Sequence, residues 1–201
     1  MANKRKSTGH YSPYFKKQKN EEVDLPELED NIAKDLRVLF VGINPGIMSS
    51  TRGHHFAGPT NHFWPCLSES GLVDKVLSYK DDQTLPEIYQ LGITSLTARP
   101  TRSASDLTKA EQKAGIPVLN QKIRKYRPKV VCFVGKGIYE IYMGEKCKSL
   151  GLQPNTIKWD NGKGASKIFV MPSTSGIVSS YQKSDKLRFF KELAGLVEQI
   201  S

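Results

Sequence analysis

Apolar residues in this chain gather into short runs instead of spreading evenly along it. LRVLFVG (36–42), VVCFVG (130–135) and KIFVMP (167–172) are branched and almost wholly apolar. Runs of that kind predict strands covered on both faces, because a sheet with one wet face alternates polar and apolar positions. LGITSLT (91–97) is a weaker fourth candidate. Between these runs the apolar spacing lengthens to three and four residues, the period of a helix. HFWPCLSESGL (62–72) predicts one helix, begun or interrupted near Pro65 and ended by Gly71. SDLTKAEQKAGIPVLNQKIRKYRP (105–128) predicts a second, opened by a cap at Ser105 or Asp106 and stopped before Pro128. KGIYEIYMG (136–144) and SDKLRFFKELAGLVEQI (184–200) predict two more.

Strands alternating with helices predict an α/β fold, a three-layer α/β/α sandwich on a mostly parallel central sheet of four to five strands. In such folds the ligand crevice lies beyond the carboxyl ends of the strands. GINPG (42–46), ITSLTARPT (93–101), VGKG (134–137) and MPSTSG (171–176) all stand at the ends of strand-like runs, so they are expected to meet at one edge. The first 35 residues lack sustained periodicity and predict a disordered charged tail, leaving residues 36–201 as the folded domain. No apolar run approaches the roughly 20 residues of a membrane span, and the N-terminus lacks the apolar segment of a signal peptide. A soluble intracellular protein without a membrane partner is expected.

Charge sharpens this picture. The formal net charge is +10 over 201 residues. Residues 1–20 hold six Lys/Arg and no acid, residues 21–35 hold seven acids and one lysine, and 23 basic against 13 acidic residues follow from Leu36 onward. The folded part is therefore basic in its own right, which points to nucleic acid as partner. KRK at 4–6 matches a short nuclear-import cluster, and the nucleus is the expected location.

The motifs exclude several chemistries. GxxxxGK[ST] is absent, and GxGxxG does not follow the first strand, so no nucleotide cofactor is implied. VGKG offers backbone N–H groups and Lys136 to at most a single phosphate. Three widely spaced cysteines (Cys66, Cys132, Cys147) make neither a disulfide framework nor a CxxC metal pair. His62 and Cys66 share metal-ligand spacing, but the adjacent His54 and His55 cannot easily aim both rings at one ion, so no metal is expected. Ser173 and Ser175 lack a GxSxG elbow.

GINPG, GHHFAGPTNHFW (53–64), TARPT (97–101), GKGIYEIY (135–142) and MPSTSG, in that order, resemble the mismatch-specific uracil/thymine-DNA glycosylases of the uracil-DNA glycosylase superfamily. The likeness runs from about Leu36 to the C-terminus. It implies base-excision repair: cleavage of the N-glycosidic bond of uracil, thymine or another modified base, especially opposite guanine, in double-stranded DNA. The product is an abasic site, and the protein works as a monomer on DNA without cofactor. By the resemblance Asn44 is catalytic and orients the attacking water through its side-chain carbonyl, with His55 on the water side of the pocket. Faster uracil-specific relatives carry an aspartate there; an amide is not a full general base, so slow turnover is expected.

The same likeness assigns base contacts to Ile43, Gly46, Ser49, Phe56, Ser95 and Thr101. Gly46 replaces a tyrosine that excludes a 5-methyl group, and Met171 replaces a histidine that stabilises the leaving anion. That stabilisation then falls to backbone donors at Ile43 and Phe56, while the Phe56 ring stacks on the flipped base. DNA contacts are assigned to Lys136, Ser173, Ser175, Gly176 and Ile177, with Ile177 as the wedge that fills the vacated stack. The chain departs from the thymine-specific animal branch at Ile177, where that branch has arginine, and at Ser95, where it has asparagine. Broader base tolerance is the expected result. Two other readings fit the same charge and loops: a non-catalytic nucleic-acid-binding module, and a small-molecule enzyme of flavodoxin-like type.

Overall fold

A computed structural model describes residues 25–160, 162, 164–178 and 180–200. The expected disorder of residues 1–24, and the KRK cluster within them, lie outside the described residues. In chain order the elements are β1 (Val38–Gly42), α1 (Ile47–Arg52), α2 (Phe63–Ser68), α3 (Leu85–Tyr89), β2 (Leu91–Ser95), α4 (Lys109–Tyr126), β3 (Val130–Val134), α5 (Lys136–Met143), β4 (Gly151–Lys158), β5 (Ala165–Met171) and α6 (Lys183–Gln199). Short 3-10 turns cover Tyr79–Thr84 and Ala104–Asp106.

The sheet order is β2-β1-β3-β5-β4. The first four strands are mutually parallel, and β4 runs antiparallel along β5. Val38, Phe40, Cys132, Val134, Phe169 and Met171 face α2 and α6 in one core. The intervening Leu39, Val41, Val131, Phe133, Ile168 and Val170 face α4 and α5 in the other. That alternation between two cores is why the three runs are apolar except at Arg37 and Lys167, near their N-terminal ends. The expected three-layer sandwich is the observed architecture.

β4 escaped the apolar pattern because it is an edge strand. GLQPNTIK alternates buried and exposed positions and carries Pro154, which an edge position tolerates because no neighbour needs its missing N–H. The cap of α4 also differs from expectation. Asp106 accepts the Ser103 N–H and closes the preceding 3-10 turn. Thr108 and Glu111 form the capping box of α4 itself.

The fold reaches N-terminally of the expected boundary at residue 36. Asn31 exchanges backbone hydrogen bonds with Ile93 of β2 at 3.0 and 2.8 Å. Thr94 Oγ1 donates to Asp30 at 2.5 Å, and Lys122 pairs with the same carboxylate at 2.6 Å. The Ser50 hydroxyl meets the Pro26 carbonyl. This acidic segment is thus bonded to α1, β2 and α4 from outside the sheet. Among the described residues no helix is long and apolar enough to cross a membrane.

Candidate active site

Because β1, β2, β3 and β5 are parallel, their carboxyl ends share one edge, and the motif-bearing loops leave from it. The loops after β1 and β2 are joined along their length. Leu96 N–H donates to Gly42 O at 2.9 Å, Thr97 N–H to Ile43 O at 2.9 Å, and Thr101 N–H to Pro45 O at 3.1 Å. Thr97 Oγ1 adds a bond to Ile43 O at 2.8 Å. Asn44 sits half-buried within this joint. Its Nδ2 donates to Arg99 O at 2.8 Å and to Thr101 Oγ1 at 2.7 Å. Thr101 Oγ1 spends its own hydrogen on Ser103 O at 2.7 Å. A carbonyl can only accept, so the amide has one orientation. Both N–H groups are used, and among the described residues Oδ1 has no hydrogen-bond partner.

Arg99 is held in turn by α4. Its Nε donates to Glu111 at 2.6 Å and its Nη2 to Asp106 O at 3.0 Å. The Arg99 guanidinium, with the Thr108 N–H and hydroxyl, holds the Glu111 carboxyl down at about 2. The cap of α4 therefore carries the carbonyl that orients Asn44, a link no residue pattern announces.

Phe56 stands beside this group in a left-handed conformation, φ 53°, which a bulky side chain adopts only when its surroundings impose it. Its ring stacks on Phe63 with centroids 4.1 Å apart and planes 12° apart. Phe63 packs edge-on against Phe40 and Phe190, so a column of aromatics runs from the core to Phe56. A Cβ built at Gly42 would lie 3.7 Å from the Phe56 ring and 3.9 Å from Ser95 Oγ, which brings these three residues together. One at Gly46 would meet nothing within 4 Å. Among the described residues neither the Ile43 nor the Phe56 N–H has a hydrogen-bond partner. Met171 ends β5 fully buried.

Ser49 and His55 lie beneath the Phe56 loop. Ser49 Oγ accepts the Ala57 N–H at 3.1 Å. His55 is only 5% exposed. Its Nε2 is 2.9 Å from the Glu29 carbonyl, its N–H donates to Asp82 at 2.8 Å, and its carbonyl accepts the Trp64 indole N–H at 3.1 Å. Since Glu29 O can only accept, Nε2 carries a hydrogen. Burial pulls the imidazole below its ordinary 6.5, outweighing the Glu29 carbonyl and the Asp82 and Asp30 charges that pull it up. The unfolded chain therefore takes up this proton first. The stabilisation is complete above 6.5 and is lost as pH falls from there through the lower folded value. Wild-type protein is expected to melt lower at about pH 5.5 than at about pH 7.5, and His55→Gln to flatten that drop. Equal drops in the two proteins would contradict this account.

Beyond β5 the chain makes a tight exposed turn. Ser173 Oγ accepts the Ser175 N–H, Ser175 Oγ accepts the Ile177 N–H, and Ser175 O accepts the Val178 N–H, all at 3.3–3.4 Å. Ile177 is 86% exposed at its tip. A Cβ at Gly135, just before Lys136, would lie 3.9 Å from Ser173 Cβ, so the VGKG turn adjoins this one.

Sequence and structure comparisons bear on what this edge does. The family model described as "Uracil DNA glycosylase superfamily" matches residues 29–194, most of the chain. This chain belongs to that superfamily. A G/U mismatch-specific uracil DNA glycosylase of Schizosaccharomyces pombe (strain 972 / ATCC 24843) is 38% identical over 181 residues, 84% of this chain. The chain spans about half the length of that relative, 54%. A solution NMR structure from Methanosarcina acetivorans, provisionally described as a uracil DNA glycosylase, matches with a TM-score of 0.50 at 14% identity. It covers 84% of this chain and 97% of its own, and supports the fold.

Within this superfamily member the edge unites Ile43, Asn44, Gly46 and Thr101 on one pair of loops, Phe56 and Ser95 beside Gly42, and Ser173 to Ile177 with Lys136 on an adjoining ridge. The residues weighed as metal ligands are separately engaged: His54 with Asp82 at 2.8 Å, His55 with Glu29, His62 near Lys186 at 3.3 Å. Among the described residues no three potential ligands converge on one point. Two crevices, about 470 and about 420 Å³, flank the site, one lined by Lys136, Lys148, Tyr181 and Arg188, the other by Phe56, Trp64 and Tyr79. Asn44 lines neither. Arg99 and Glu111 were missed from sequence because one acts through its backbone and the other through a helix cap.

Proposed function

We propose that this protein is a monofunctional DNA N-glycosylase that flips uracil, thymine or another modified base out of double-stranded DNA, above all opposite guanine, and leaves an abasic site. The observation that carries the proposal is the fixed amide of Asn44. With both N–H groups tied to Arg99 O and Thr101 Oγ1, its Oδ1 is the one group left to accept a hydrogen from water. That acceptor orients the water toward a sugar carbon that becomes positively charged as the base departs. The carbonyl withdraws no full proton before the bond breaks, so the reaction depends on the leaving group.

Negative charge on the departing base meets the unpartnered N–H groups of Ile43 and Phe56. The Phe56 ring, backed by Phe63, offers a stacking face, and Ser95 stands within reach of the same space. Gly46 leaves that space open to a 5-methyl group. We assign His55, Ser49 and Thr101 to holding these groups in place, since each side chain is already bonded within the protein. Ile177 enters the vacated stack, with Ser173, Ser175, Gly176 and Lys136 against the backbone. A mismatched base costs less to flip, which favours G·U and G·T. Action as a monomer in the nucleus is part of this proposal; the basic domain and the KRK cluster at 4–6 in the segment before it support a nuclear, DNA-directed role.

The test is base release. Duplex DNA carrying one G·U pair, incubated with the protein and treated with hot alkali, is expected to be cut at the uracil. Salt-sensitive binding by folded protein without any cut would instead favour the non-catalytic binding module.

A further inference from the structure

Lys186, in the first turn of α6, is 1% exposed, among the most completely buried large side chains of the protein. Its Nζ donates to Ser175 O at 2.9 Å and lies 3.3 Å from His62 Nδ1. Among the described residues it has no carboxylate partner: neighbouring Lys183 takes Glu69 at 2.6 Å, and burial pushes the nearby Cys66 thiol up to about 11, keeping it uncharged. Burying an ammonium with only neutral acceptors is unfavourable, and burial lowers its proton affinity accordingly. An apolar side chain of that length would fill the same space at less cost to stability. The amine's partners supply a use for it. Ser175 O belongs to the turn that projects Ile177, and His62 ends the loop against which that turn is seated. His62 N–H donates to Thr174 O at 2.9 Å, and a Cβ at Gly176 would come within 2.4 Å of Thr60 O.

We infer that Lys186 is a positioning residue for DNA penetration: its buried amine locks the 173–178 turn onto the 58–62 loop so that Ile177 is presented at a fixed height. The role rests on the glycosylase reading and adds to it a residue that touches neither base nor sugar. Two peptide loops with few apolar anchors would otherwise fluctuate, and inserting a mobile wedge would carry the entropic cost of ordering it during flipping. The positive charge behind the turn also favours the phosphates that approach it.

The experiment compares Lys186→Met with wild-type protein on a G·U duplex and on uracil held in an unpaired bulge, where no pair must be broken. Lys186→Met is expected to melt at the wild-type temperature or higher. Its single-turnover rate on the duplex should fall about tenfold or more, the scale of one charge-assisted hydrogen bond, and its rate on the bulge by less than about threefold. In an Ile177→Ala background the same change should cost nothing further on the duplex, because both substitutions disable one wedge. Equal losses on duplex and bulge, multiplicative losses in the double variant, or an unchanged duplex rate would each overturn the inference. Should the methionine variant fail to fold, Lys186→Gln, too short to reach Ser175 O, carries the same comparison. Wild-type protein inactive on both substrates would instead sink the glycosylase reading itself.

Discussion

Asn44→Ala is expected to slow uracil release from a G·U duplex by about 10²–10⁴-fold while leaving DNA binding nearly intact. The alanine removes the acceptor proposed to orient water, but the Ser173–Ile177 ridge lies on a different loop and keeps its own bonds. The loss should therefore appear in the single-turnover constant under excess enzyme and not in the affinity for a non-cleavable duplex. Two hydrogen bonds to a half-buried amide are worth about 0.5–1.5 kcal/mol each, so the variant should melt somewhat lower, and the rates are compared well below its melting temperature, where it stays folded. Asn44→Asp is the sharper companion. A carboxylate is the stronger base, yet here it has no N–H for Arg99 O and would set an anion 2.8 Å from that carbonyl. Thr101 would have to release Ser103 O to donate to it. The aspartate variant is thus expected to be slower than wild type. A faster aspartate variant would show that the Arg99 and Thr101 bonds do not control the amide.

Gly115→Ala is expected to lower the melting temperature by about 2–8 °C, the equivalent of about 1–2 kcal/mol in a domain of this size. A Cβ on Gly115 would lie 1.9 Å from Leu96 O and 2.9 Å from Leu96 C, which are backbone atoms with no rotamer to turn away. Alanine gains roughly 0.8–1 kcal/mol over glycine in a helix interior. Overpacking a rigid contact costs about 1–3 kcal/mol, sometimes more, and the clash wins here because α4 must move bodily. The movement reaches the site. Leu96 lies between Ser95 and Thr97, and Thr97 bonds Ile43 O through both its N–H and its hydroxyl. Base release should fall together with stability, as measured by thermal melting and single-turnover rates on one preparation. An alanine variant that melts at or above the wild-type temperature would mean that α4 does not press on the end of β2.

Both experiments concern groups that differ in how far the sequence announces them. Asn44 was visible as a lone amide on a loop behind a buried strand, and Phe56 as an aromatic in a neighbouring loop. The left-handed backbone of Phe56 and its stack on Phe63 were not, since they depend on how α2 seats against the sheet. His55 stands in the sequence as a pocket residue, but its ring is bonded to Glu29, in a segment whose lack of sustained periodicity predicts a disordered tail. Lys186 stands in the sequence with nothing to set it apart from the other charged residues of the predicted helix at 184–200. Its burial is decided by the two loops that close over the start of α6.

The sequence by itself determined which runs become buried strands, that helices alternate with them, and which residue types stand on the loops between. Those are properties of local periodicity and turn chemistry, readable within windows of ten to twenty residues. Tertiary structure alone decided the polar edge strand β4, the orientation of the Asn44 amide and the anchoring of the Ile177 turn. Each of the last two rests on hydrogen bonds to backbone carbonyls distant or unremarkable in sequence. Arg99 O is 55 residues from Asn44, and Ser175 O belongs to a turn named by its hydroxyls rather than its carbonyl. Every residue carries that same acceptor, so its use at one position leaves no mark in the pattern of side chains.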